Sequence, residues 1–331
     1  MSPQVANNCL SPNQKEAIIL FARFQASPNK AIKRILIKDA SKAFGLDMTF
    51  SPFDTSDDWS RKLVLDLVEK KGLYLSLSGN NPRLYEVQKS KLSPGAVESM
   101  MKGYCNELKL PTPRNYILLE GKNLLYQTRD NSVINGDFFY TATKGIVFVD
   151  KEAFCHLPDK QQAKTLSESL LRHELAHDSF RQKFGDNYYY AKVQSFNNKV
   201  VLGKQVDEAC SIYASICGGR EIAKAEISRQ LSALWSPLYS HARNIMISCI
   251  AEYAKENSPT SYKAIIEGQK LGPIELRAAC KKVSRQFLDN PKHSDKFLNY
   301  FMDYYKKALL LETSALESKM QNEKFQGIKL P

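Results

Sequence analysis

Apolar residues recur every three to four positions through much of the chain and alternate in only a few short stretches. In "SPNQKEAIILFARFQ", Ser11 and Pro12 supply a cap and a first-turn proline ahead of an apolar face, which predicts a helix. "TSDDWSRKLVLDLVEKKG" has the same logic and closes on Gly72, and "SPGAVESMMKGYCNELKL" makes a third helix. Between them "GLYLSLSG" and "RLYEVQ" alternate and predict a hairpin across "NNP". The texture changes after "LPTPRN". "NYILLEG", "NLLYQT", "DFFYTAT" and "GIVFVD" read as short strands, with turns at Asn135-Gly136 and Lys144-Gly145. "LPDKQQAKTLSESLLRHELAHDSFRQKFG" then predicts one long helix, capped by Asp159 with Gln162 and stopped at Gly185. "YYYAKVQSFNNKVVLG" reads as a loop or hairpin turning at Asn197-Asn198. "KQVDEACSIYASICGG" is a short helix ended by two glycines, and from about Arg220 the pattern is nearly all helical. The expectation is an α+β chain in three parts: a mainly helical region over 1–110, a mixed core over 111–220 and a helical region over 221–331.

Composition narrows the class. Hydrophobic residues make up 43% and charged residues 25%, as in ordinary globular chains. No apolar run approaches the roughly 18 residues a membrane span needs. The start of the chain lacks a basic segment followed by an apolar one, so no secretory signal is expected. Seven cysteines, scattered and never in a C-x-x-C pair, point to a reducing, cytoplasmic setting rather than a disulfide framework. The net charge of +12 is spread out: 16 basic against 11 acidic residues over 1–110, 14 against 12 over 111–220, and 17 against 12 over 221–331. Such a surface suits acidic partners, nucleic acid among them, and equally suits plain solvation.

One short stretch carries chemistry. In "LLRHELAHDSF", His173 and His177 stand four apart, so on a helix they share a face one turn apart. Two imidazoles so placed can hold one Zn²⁺. Glu174, one step round, can take a proton from a water whose pKa the metal lowers. Leu166, Leu170 and Phe180 run along the same stripe, so the histidines face inward.

This H-E-x-x-H helix, preceded by the strand "GIVFVD" and the connection "KEAFCHLPD", resembles the zincin metallopeptidases over about residues 113–217. The wording is also similar to the CAAX prenyl peptidase and heat-shock membrane peptidase family, without its transmembrane helices. The resemblance implies a zincin-like core, zinc-dependent hydrolysis of a peptide or protein substrate, and a substrate lying along the edge strand at 145–150. The third ligand sets the subgroup. Phe180, Arg181 and Lys183 stand where other subgroups place a glycine or a histidine. The gluzincin pattern takes a carboxylate from a following helix, and "VDEACSIYAS" offers Glu208, in a run similar to the E-A-x-S of thermolysin-like enzymes, with Asp207 as the alternative. In those enzymes an aspartate four residues after the ligand glutamate orients a ligand histidine; here that position is Ile212.

A hydrogen-bond donor for the oxyanion is also required. His241, in "LYSHARN", and one of Tyr188, Tyr189 and Tyr190 are the candidates. Cys155-His156 reads as a loop contact, Cys210 and Cys217 as core, and the aromatics of "FLNYFMDYYKKALLLE" as helix packing. A second reading from another class stands beside the enzyme: a binding module for nucleic acid or an acidic partner, built on an inactive zincin scaffold.

Overall fold

Helix caps written into the sequence set most of the element boundaries. The computed structural model describes residues 10–49, 51, 54–78, 81–127, 138–141, 145–150, 159–232 and 238–327. The chain divides into two compact units: Met1–Lys91 with Tyr116–Pro158, and Leu92–Asn115 with Asp159–Pro331.

In the first unit, the Ser11 side chain accepts from Gln14 N and the Gln14 side chain answers to Ser11 N, starting α1 (Pro12–Ala26). Asn29 caps α2 (Lys30–Ala43), and Thr55 with Asp58 caps α3 (Ser56–Lys71). Gly72, at φ 63, ends α3 in the left-handed conformation that glycine adopts without strain. The strands are β1 (Leu73–Ser78), β2 (Asn81–Lys89), β3 (Ile117–Gln127), β4 (Phe138–Thr141) and β5 (Ile146–Asp150). They form one sheet in the order β1-β2-β3-β5-β4, parallel only between β3 and β5. Phe21, Trp59, Leu63, Tyr74, Tyr85 and Phe148 belong to its core.

Two expectations change here. "NYILLEG" and "NLLYQT" contribute to one strand, β3, because pairing with β2 continues through Gly121 and two register shifts, each leaving one extra residue in β3 (Lys122 and Leu125), absorb the irregularity. Residues 146–150 are not a free edge: β5 lies between β3 and β4, with Phe138 opposite Val149 and Thr141 opposite Ile146. Backbone groups already paired on both sides cannot pair with a substrate as well.

The second unit holds α4 (Pro94–Leu108), α5 (Lys160–Phe184), a 3-10 turn (Asp186–Tyr190), the hairpin β6 (Lys192–Gln194) and β7 (Val200–Leu202), and α6 (Gly203–Ile216). It continues with α7 (Arg220–Ser232), α8 (Ser240–Asn257), α9 (Pro259–Leu271), α10 (Pro273–Asp289) and α11 (Ser294–Gly327). The hairpin turns through Asn198 at φ 60. Helix α6 is the centre of this unit. Val206, Ala209, Ile212, Tyr213 and Ile216 are all buried, and α5, α7, α8 and α11 pack on it. Of the aromatic residues expected to pack on α11, Phe297, Phe301 and Tyr305 are buried and Tyr300 and Tyr304 are half-buried.

The three-part division by residue number gives way to these two units. Helix α4 joins the second because Tyr213 OH donates to Glu107 and Lys183 Nζ to the Lys109 carbonyl. The strands over 116–158 join the first because β3 pairs with β2. The architecture is α+β, and no helix among the described residues is long and apolar enough to cross a membrane. Cys105, Cys210, Cys217, Cys249 and Cys280 are free thiols. Cys155 and His156, the turn at Asn135-Gly136 and the Gln162 side chain lie outside the described residues.

Candidate metal centre

Helix α5 starts where Asp159 Oδ1 accepts from Gln161 N and runs unbroken through the H-E-x-x-H stretch to Gly185, at φ 72. Asp178 fixes this helix against the preceding connection by accepting from the backbone N of Arg114 and Asn115 at 3.0 and 3.1 Å. Helix α6 packs along α5, and Ser215 Oγ donates to the Ser169 carbonyl at 2.8 Å. The pairing brings the start of α6 beside the two histidines.

Three side chains converge there. His173 Nε2 and His177 Nε2 face each other at 3.3 Å. Glu208 places its two oxygens 3.5 Å from His173 Nε2 and 3.8 Å from His177 Nε2. One ligand atom from each of His173, His177 and Glu208 lies within 4.8 Å of the others. Two nitrogens and a carboxylate oxygen meeting at one point form the donor set that zinc takes in catalytic sites. Buried polar atoms nearly always have a hydrogen-bond partner, yet His173 Nδ1 and Glu208 Oε2 have none among the described residues. A cation between the three residues would satisfy the Glu208 oxygen, so these residues fit a divalent metal.

Asp207 has a different task. Its Oδ1 lies 2.9 Å from His177 Nδ1, and its Oδ2 accepts from Tyr188 OH at 2.6 Å. Ser211 Oγ sits 3.1 Å from the same His177 nitrogen. A carboxylate on Nδ1 orients the ring and leaves the Nε2 lone pair for a metal. The carboxylate beside His177 Nδ1 thus comes from position 207, one residue before Glu208, and not from position 212, which is Ile. Burial disfavours charge on His177, but the Asp207 and Glu208 charges outweigh it and push its pKa up to about 10. Burial likewise opposes ionisation of Glu208, and the His177 charge outweighs it, holding the carboxyl below its usual value. The cluster therefore favours positive charge at its centre.

Glu174 is buried on the same helix, and its charge acts on His177, Arg229 and Tyr239. His241 is placed elsewhere. Its Nε2 meets Glu312 Oε2 at 2.8 Å, the two side chains being 3% and 0% exposed. That pairing ties α8 to α11, so the geometry gives His241 a structural role in place of the expected oxyanion contact. Of the three tyrosines, Tyr188 is committed to Asp207 and Tyr190 is exposed. Tyr189 stands in the field of Glu208 and Asp207.

Tyr239, just before α8, is a site neighbour that sequence reasoning passed over. Burial, then the charges of Glu208 and Glu174, push its hydroxyl pKa up, so it is a neutral hydrogen-bond donor at physiological pH. Its only signal in the sequence is its place two residues before His241. Searches against protein-family models, curated proteins and solved structures each find no match for this chain.

Proposed function

We propose that this protein is a zinc-dependent metallopeptidase with a zincin-like core, of gluzincin type. His173, His177 and Glu208 hold the metal, and Glu174 acts as general base. The observation that carries this reading is the convergence of two α5 imidazoles and an α6 carboxylate within 4.8 Å, in a cluster whose charges call for a cation. Zinc held there supplies a Lewis acid and acidifies a water molecule.

The chain's own residues supply the rest. Glu174 takes the proton of the attacking water and returns it to the leaving amine. Asp207, itself held by Tyr188, keeps His177 in the tautomer that presents Nε2. Tyr239, whose hydroxyl stays protonated under burial and the Glu208 and Glu174 charges, is a candidate donor to the carbonyl oxygen as it gains charge, beside Tyr189. The substrate class is a peptide or protein.

The test is Glu174→Gln beside wild type, both loaded with zinc and offered a mixed peptide library. The variant should keep its zinc and lose hydrolysis by roughly 10²- to 10⁴-fold, the range for a lost general base. Hydrolysis undiminished in the variant would remove Glu174 from the mechanism. Zinc binding without hydrolysis in wild type would favour the binding-module reading.

A further inference from the structure

Helix α7 packs against both helices of the candidate metal centre. On it, Glu226 is 2% exposed and accepts from Arg229 twice, Nε to Oε2 at 2.8 Å and Nη2 to Oε1 at 2.6 Å. Gln230 Nε2 adds a third bond to Glu226 Oε1 at 2.9 Å. The Arg229 side chain is 43% exposed, against 2% for the carboxylate that holds it. Nε and one Nη2 hydrogen are used inward. The outer edge, with both Nη1 hydrogens and the second Nη2 hydrogen, points away from Glu226.

The helix that carries this guanidinium lies against α5 and α6, which bear the three residues of the candidate centre. The Arg229 charge reaches Glu208 and Tyr239, and the Glu174 charge reaches Arg229. Glu174, Asp207 and Glu208 would all repel an anionic group of a substrate. Arg229, held on α7 by Glu226, is a fixed cation that would attract one. The outer edge of a guanidinium is a planar fork that matches a carboxylate in two parallel hydrogen bonds. Because Glu226 already holds the arginine, little rotamer freedom is lost on binding.

Resting on the peptidase reading, we propose that Arg229 is a substrate-binding residue that selects peptides carrying a carboxylate next to the cleaved bond, with Glu226 and Gln230 as its positioning residues. The carboxylate belongs either to an Asp or Glu side chain or to the chain terminus. In both cases it is drawn to the α7 side of the centre, which orients the peptide relative to Glu174.

The experiment uses the full chain carrying Glu174→Gln, zinc-loaded, with binding read by calorimetry. Three peptides of otherwise identical sequence are titrated: one neutral and amidated, one with a free C-terminus, and one amidated with a glutamate added. At least one carboxylate peptide should bind about 10- to 100-fold more tightly than the neutral one, as charge-assisted bidentate pairs do. Which of the two it is identifies the source. Adding Arg229→Gln should bring the ratio of carboxylate to neutral peptide affinity close to one, and that ratio, not the affinity for the neutral peptide, is the readout. Arg229→Lys, which keeps the charge and is the milder change for the fold, should retain only part of it. Equal binding of all three peptides by the Glu174→Gln protein, or an equal loss for all three on Arg229→Gln, would overturn the inference and leave Arg229 as the counter-ion of Glu226. Zinc content is measured on the same samples. Zinc present without a carboxylate preference sinks this inference alone; zinc absent sinks the peptidase reading and this inference with it.

Discussion

Asp207 and Glu208 are neighbours in sequence, yet their side chains leave α6 about 100° apart and meet different partners. Glu208 reaches the two Nε2 atoms, and Asp207 reaches Nδ1 of His177. Two substitutions separate these tasks. Glu208→Ala removes the proposed third ligand and should abolish tight zinc binding. Asp207→Asn removes only the carboxylate that orients His177, and should weaken zinc by about 10- to 100-fold without abolishing it. Competition against a fluorescent zinc chelator measures both. The histidines were legible from the sequence because spacing of four is a property of the helix itself. The choice between Asp207 and Glu208 was not, because helical position put both near the same boundary. What divides them is Tyr188, nineteen residues earlier, which takes up the Asp207 carboxylate.

The elements that build the centre depend on close approaches as much as on caps. A Cβ on Gly203 would lie 2.1 Å from the Tyr188 carbonyl oxygen, so only glycine there lets the 3-10 turn sit on the start of α6. Gly203→Ala should cost about 1–3 kcal/mol, by the usual penalty for overpacking. It should also weaken zinc binding by displacing Tyr188 from Asp207. Urea unfolding and the same zinc competition check the two effects. Helix α7 gives a pH prediction. Burial opposes ionisation of Glu226, and the Arg229 charge and hydrogen bonds outweigh it, holding its carboxyl below the usual value. A lowered folded-state pKa stabilises the fold above the unfolded value of about 4.3, and that stability is lost as pH falls through the folded value. Urea unfolding from pH 6 to pH 3 should show a decline that is shallower in Glu226→Gln. Capped elements were the legible ones: α1, α3 and α5 carry their signals in adjacent residues. Helix α2 is capped by Asn29, whose side chain accepts from Ala31 N and Ile32 N, but asparagine after Ser27-Pro28 signals a turn as much as a helix start. The place of β5 inside the sheet was hidden because strand order depends on which distant segments pair.

At the scale of the whole chain, the α+β class was readable from the change of pattern near residue 111, and the division into units was not. Strands after that point return to a hairpin that precedes it, while α4 packs with helices that follow it. Non-local pairing of this kind leaves no trace in composition or charge. Zinc should act on the unit that contains His173, His177 and Glu208. At a free concentration 100 times its dissociation constant it should stabilise that unit by about 2.7 kcal/mol, which unfolding with and without chelator would register. The most direct test of the account is metal content by elemental analysis of protein purified without added metal, wild type beside His177→Ala and Glu208→Ala. The account predicts about one zinc per wild-type chain, lost in both variants, as expected when each ligand is needed to hold the ion. A wild-type protein that takes up no zinc even when it is offered, or a Glu208→Ala protein that keeps its zinc, would contradict it.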